Sequence, residues 1–413
     1  MISRSLLLLR RITRQLWFRV VALSLFSLLA LAVAPLLTPV LPENLSDRFG
    51  REAVLPVLTI LASGMLAVTT FSLNVMVSAY RTASSMATPR VYRLLLEDTV
   101  TQSVLATFTG GFVYALSAII LFRAQIYTPQ AAIIVFGITV LVVALIVVAI
   151  LRWIDHLSDL GSMDHTLRLI ETRSRDSLQA RKNTPCLGGQ CNHAPPPQNA
   201  TPIPAARSGF VRFADMAALN TLADKAGVEV HLLRLPGEYV LRGRPVAVAG
   251  GLNRTDGTSG ADGSKGTDGS KGADQTFCKA ASGLIDIGDV RSFEQDPSFG
   301  LTLLAETAQR ALSPGVNDPG TAIEVLGRIE RLLWENLPED TEAGRDDIRF
   351  QRVHLAPVTA KELLKASFPP IARNGGDAPE VMEWLAKALK ALEDHPNAAM
   401  STAAREMRRS LFD

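Results

Sequence analysis

Two thiols and an imidazole stand close together in Cys186-Leu-Gly-Gly-Gln-Cys191-Asn-His193, a donor set that suits zinc. The spacing is C-x4-C-x-H, no fourth ligand stands nearby, and six prolines between residues 183 and 207 mark a linker. Asp256, Asp262 and Asp268 recur at six-residue steps in a Gly/Asp/Ser stretch, too sparse a ligand set for a calcium repeat. The six histidines, His156, His165, His193, His231, His354 and His395, show no HExxH or related spacing. GxSxG, Walker A and GxGxxG are absent where a strand would meet a helix. The sequence therefore assigns no metal site, no cofactor and no catalytic residue, and the chain is read as not an enzyme.

Polar residues inside apolar segments carry more. Ser63, Ala67, Thr70, Asn74 and Ser78 fall at steps of four, three, four and four, so they share one helix face. Ser103, Thr107, Gly110, Tyr114 and Ser117 do the same on the next segment. One reading is close packing with hydrogen bonds between helices. The other is a polar lining for a pore or substrate path. No Asp, Glu, Lys, Arg or His lies deep in a span, which removes the usual marker of proton relays and ion pumps. A second candidate is the stretch from Arg291 to Trp334. Asp296 and Asp318 each precede a proline and are read as N-caps of two helices, 298–312 and 321–334, joined by a tight turn. A capped hairpin explains every residue of it. The sharper reading is a pocket or turn formed by Asp296, Asn317, Asp318 and Thr321 that takes an anion, a small ion or a cytoplasmic protein.

The elements that hold these residues follow from hydropathy. Of 413 residues, 47% are hydrophobic and 20% charged. Mean hydropathy is +0.19. The long apolar runs all precede residue 153, which excludes a wholly soluble chain. Residues 16–37, 53–79, 103–122 and 131–151 each reach the roughly 20 residues that a bilayer requires of a helix. A cleaved signal peptide is the lesser reading of the first, whose apolar run is long for that role. Lys and Arg concentrate before the first span, between the second and third, and after the fourth, which puts both termini in the cytoplasm. Trp17 and Trp153 are expected at the headgroup zone. A net charge of +2 gives no basic field for nucleic acid, and three cysteines point to a reducing compartment.

The expected fold is an α-helical membrane domain of four transmembrane helices, then an α+β cytoplasmic domain with a small β-barrel-like unit and a helical hairpin. Its parts are the membrane domain 1–152, a juxtamembrane helix 153–182, a Pro-rich linker 183–207, an α+β unit 208–250, a disordered Gly/Asp/Ser insert 251–276 and a helical domain 277–413. The expected partners are the lipid bilayer and further copies of the chain, as a homo-oligomer in the inner membrane.

Four pieces carry a family resemblance: TTFSLNVMVSAYRTASSMATPR with TGGFVYAL, LLRLPGEYVLRGRPVA, FEQDPSFGLTLLAETAQRALSPGVNDPGTAIEVL and VTAKELLKASFPPIARNGG. The chain resembles a bacterial family of membrane proteins designated domain of unknown function 2254. It departs from the family pattern at Asn74 and Tyr80-Arg81, and both low-complexity stretches look like additions. The resemblance implies a multi-pass inner-membrane protein and brings no established activity and no catalytic residues. Three functional classes follow: an oligomeric channel or transport-related protein with a regulatory domain, a structural or sensory protein docking a partner through residues 296–334, and, weakest, a membrane enzyme.

Overall fold

The computed structural model describes residues 16–33, 51–86, 88–95, 98–126, 129–159, 162–191, 196–251, 268–337 and 348–412. The basic N-terminal flank, residues 34–37 of the first apolar run, His193 and residues 252–267 of the insert lie outside them. The chain divides into two compact units, one holding residues 5–85 and 89–166, the other built chiefly from 167–413.

The N-terminal unit is helical: α1 (Leu16–Val33), α2 (Arg51–Met86), α3 (Pro89–Leu95), α4 (Thr99–Arg123) and α5 (Pro129–Asp159). Three stretches are long and apolar enough to cross a membrane, Val54–Thr82, Val100–Arg123 and Ala131–Leu157. The first apolar run is helical over Leu16–Val33, its last four residues lie outside the described ones, and the other three expected spans are met. Proline sets the breaks: α2 stops at Met86, and Pro89 opens α3, where its missing N–H costs nothing. Val54, Leu58, Leu61 and Met65 recur at helical spacing and pack with Val104, Phe108, Ala115, Ile146 and Trp153. Trp153, near the end of α5, is buried in that core. Gly111 lets α4 approach α5, since a Cβ there would stand 2.8 Å from Ile146 Cδ1. Ile60, Phe71, Leu141 and Leu151 stay at least 60% exposed, a surface that calls for lipid or another apolar partner.

The C-terminal unit differs from the expected partition in three ways. First, residues 183–207 are not a plain linker. They include β1 (Gly189–Cys191) and β2 (Thr201–Pro204). With β4 (Glu229–Leu232), β6 (Pro245–Gly250) and β8 (Phe350–Leu355) they make a five-stranded sheet of order β1-β8-β4-β6-β2. β1 and β2 are its edges, where Pro202 and Pro204 are tolerated because an edge strand has ladder positions to spare. Second, this sheet is open, so no closed barrel forms. The remaining strands, β3 (Gly209–Ala214), β5 (Tyr239–Val240) and β7 (Ile285–Gly288), make a separate antiparallel sheet. Third, residues 208–250 and 277–413 do not part into separate domains, because β7 and β8 complete the two sheets.

Helix α7 (Met216–Ala226) packs on β4 and β8, capped by Asp215 at its start and by left-handed Gly227 at its end. Helix α8 (Asp268–Gly283) begins inside the stretch read as disordered, because Phe277, Cys278 and Ala281 enter the sheet core. Cys186 and Cys191 are disulfide-bonded, against the expectation of a reducing compartment, and Cys278 is free.

The remaining helices are α6 (Met163–Asn183), α9 (Pro297–Ala311), α10 (Pro319–Asn336), α11 (Ala360–Gly375), α12 (Pro379–Glu393) and α13 (Ala398–Phe412). Helix α9 packs on α10 and α11, α10 on α12, and α12 on α13. Glu171 ties α6 to α10. It is 6% exposed and accepts from Arg328 at 2.7 Å and from Arg331 at 2.6 and 3.0 Å. Burial pushes its carboxyl up, but the two guanidiniums hold it below the usual carboxylate value.

Candidate functional site

The five residues of the α2 stripe share one face, and the structure leaves that face uncovered. Ser63, Ala67, Thr70, Asn74 and Ser78 are all exposed. Ser63 and Thr70 satisfy their hydroxyls within the helix, donating to the carbonyls of Thr59 and Leu66. Asn74 makes no hydrogen bond to the described residues. The Ser78 hydroxyl makes none either, and of the two the amide, with both donors and an acceptor to satisfy, is the costlier to leave so in an apolar span.

Helix α4 behaves otherwise. Thr107 is half-buried and donates to the Ser103 carbonyl, and Ser117 is half-buried. Tyr114 is fully buried, and its phenol bonds to the Val135 carbonyl at 3.0 Å and the Thr139 hydroxyl at 2.9 Å. Its hydroxyl therefore pins α4 to α5. The two stripes do not converge within the chain: one is exposed on α2, the other partly spent between α4 and α5.

Asp98 is the N-cap of α4. It accepts from the backbone N–H groups of Val100 and Thr101, from the Thr101 hydroxyl and from His156. Burial opposes its ionisation, but the bonds from His156 and Thr101 hold its carboxyl down to about 2.

The hairpin residues fall into two places. Asp296 caps α9 through the Ser298 N–H, and Asp318 caps α10 through the Thr321 N–H at 3.0 Å and its hydroxyl at 2.6 Å. A helix of 15 residues separates the caps, a span of about 22 Å at 1.5 Å per residue. Asp296 is buried, whereas Asn317 and Asp318 are exposed. These four residues thus build two helix starts and no common pocket. Asn317, at φ 49°, is left-handed, as its amide side chain tolerates in a turn. The hydrogen bonds from Thr321 hold the Asp318 carboxyl below its usual value. Asp318→Ala is expected to cost about 0.5–2 kcal/mol, the ordinary worth of an N-cap, read as a lower urea midpoint of the full chain in detergent.

One constellation escaped the sequence. Strands β4 and β8 run parallel with His231 directly opposite His354. Glu229, two residues before His231, points to the same side. Burial pushes both imidazoles below their usual value, the facing His354 adds to this at His231, and Glu229 opposes it at both. The signal available in the sequence was the Glu-x-His alternation on a strand; the pairing with β8 was not.

Apolar helices with large exposed side chains, joined to an α/β unit, define a membrane protein. The chain belongs to the predicted membrane protein family DUF2254, whose model matches residues 13–391. It is similar to an uncharacterized protein of Mycobacterium bovis and to one of Mycobacterium tuberculosis, each 26% identical over 337 residues that cover 79% of this chain and 61% of the relative. The chain thus spans about three fifths of the length of these curated relatives. No solved structure matches it.

Proposed function

We propose that this protein self-associates in the inner membrane through the polar face of α2, as an oligomeric channel or transport-related assembly whose C-terminal unit is a regulatory domain. One observation carries the reading: Ser63, Thr70, Asn74 and Ser78 line an uncovered face of an apolar helix, and the Asn74 amide has no bond to the described residues. In hydrocarbon such an amide is satisfied by another helix or by water in a path, and a symmetric contact supplies the same amide from a second copy. Docking of a partner through the hairpin draws less support, because Asp296 and Asp318 are spent on capping.

The placement of Lys and Arg supports cytoplasmic termini and a cytoplasmic C-terminal unit. The Cys186–Cys191 bond pulls the other way, since disulfides persist mainly outside reducing compartments. Protease added outside intact spheroplasts decides between them: survival of the C-terminal unit supports the charge rule.

Asn74→Leu is the test of association. An interhelical polar contact in a bilayer is worth about 0.6–2 kcal/mol, so the variant's dissociation constant for the oligomer rises roughly threefold to thirtyfold. Ion flux into liposomes changes in parallel. An unchanged oligomer and flux no higher than in empty vesicles would sink the proposal.

A further inference from the structure

The geometry points to a mononuclear site for a borderline divalent transition ion of the zinc class, held by Glu229, His231 and His354 with water completing the coordination. Three features carry it. The first is convergence. The Glu229 Oε2 lies 3.7 Å from His231 Nε2 and 3.6 Å from His354 Nε2. One donor atom from each of the three residues falls within 4.8 Å of the others. Ligands held 2.0–2.2 Å from a tetrahedral zinc stand roughly 3.3–3.6 Å apart, so the carboxylate already sits at about ligand spacing from each ring.

The second is the state of the donors. Both histidine side chains are 9% exposed, and neither Nε2 has a hydrogen-bond partner. At 3.6–3.7 Å the carboxylate is too far for a hydrogen bond to either. Two buried imidazole nitrogens without partners, both facing one carboxylate, are costly as packing and apt as ligands. The rings stack at 4.3 Å with planes 12° apart, so capture of an ion tilts each ring to aim its lone pair at a shared point.

The third is access and support. Adjacent parallel strands fix the two histidines in register, a rigid base for a ligand set. Val230, Leu232, Val353 and Leu355, which alternate with the donors, are buried in the sheet core. Glu229 is half exposed and opens the site to solvent. Gly250 is its cross-strand neighbour, and a Cβ there would stand 4.0 Å from His231 Nε2 and 3.3 Å from Pro197 Cγ, so the absence of a side chain keeps this flank of the donors clear. Two imidazoles and one carboxylate suit zinc, cobalt or ferrous iron over calcium or magnesium, and three protein ligands leave a position open.

Untagged full-length protein in detergent, stripped with a chelator and kept oxidised so that Cys186 and Cys191 stay bonded, is titrated with Zn2+ against a chromophoric competitor. One zinc per chain is expected. Glu229→Gln, His231→Gln and His354→Gln each weaken it by more than about a hundredfold, beyond what an outer-shell change does. Co2+ substitution is expected to give a visible ligand-field spectrum that His354→Gln alters. Because Glu229 is half exposed, Glu229→Gln keeps the metal-free melting temperature and separates lost ligation from lost folding. Absence of stoichiometric zinc in the unmodified protein, or equal affinity in the triple variant, overturns the site. Either result leaves the Asn74 test untouched.

Discussion

Asp296→Ala is expected to destabilise the C-terminal unit by about 3–5 kcal/mol, the usual cost of removing one partner of a buried ion pair. Asp296 is 2% exposed and binds Arg291 with both oxygens, at 2.7 Å to Nε and 2.9 Å to Nη2. It also caps α9 through the Ser298 N–H at 3.2 Å and accepts the Ser298 hydroxyl at 2.9 Å. Its charge reaches a second guanidinium. Burial pushes Arg181 down to about 10, and the attraction of Asp296 offsets part of that. Arg181 has one bond, to the Gln295 carbonyl, while its Nε and Nη1 have none. Truncating the carboxylate therefore leaves two cations in a poorly hydrated site and an uncapped helix. Gly237 shows how closely the loop wraps it: at φ +98°, a Cβ there would fall 2.6 Å from Asp296 Cγ. Urea unfolding of the full chain in detergent, read by Trp334 and Trp384 fluorescence, measures the loss. Asp296→Asn, which keeps the cap and loses the charge, is expected to fall between. A loss under 1 kcal/mol, the scale of surface pairs, would mean the site is hydrated in solution.

That aspartate shows what the sequence makes legible. The Asp-Pro pairs announce helix starts by local chemistry alone, and the structure places caps at Asp296 and Asp318 with proline next in line. The apolar runs are legible for a similar reason: length and hydropathy are local quantities, and three of them meet the requirement among the described residues. Pairing between distant strands is not local. Prolines at 202 and 204 read as linker because nothing nearby reveals an edge of a five-stranded sheet. His354 reads as scattered because its register with His231 exists only once β8 is laid beside β4. Tyr114 reads as part of a polar stripe by spacing, yet its hydroxyl finds Thr139 on the next helix. Spacing fixes which face a residue shares; the covering of that face is a tertiary fact.

Gly300→Ala is expected to cost about 1–3 kcal/mol, the range for overpacking a well-filled core. Gly300 lies one turn into α9, where it meets α6. A Cβ there would stand 2.6 Å from Ser174 Cβ and 3.1 Å from its Cα, with the hydroxyl closer still. Rotating the serine moves only the hydroxyl, which is already bonded to the Ile170 carbonyl at 2.6 Å. The Cβ and Cα are fixed by the helix, so α6 and α9 must separate. A pair of second-site changes tests that cause. Ser174→Ala removes the hydroxyl but keeps the clashing Cβ and is expected to restore less than Ser174→Gly, which removes both and recovers part of the loss as a favourable coupling in a double-mutant cycle. Gly327 is the internal control. It lies within α10 and a Cβ there meets nothing within 4 Å, so Gly327→Ala is expected to raise stability by about 0.5–1 kcal/mol through helix propensity. Opposite signs for the same chemical change at the two glycines would place the effect in the α6–α9 contact. A loss at both, or as much rescue by Ser174→Ala as by Ser174→Gly, would assign it elsewhere.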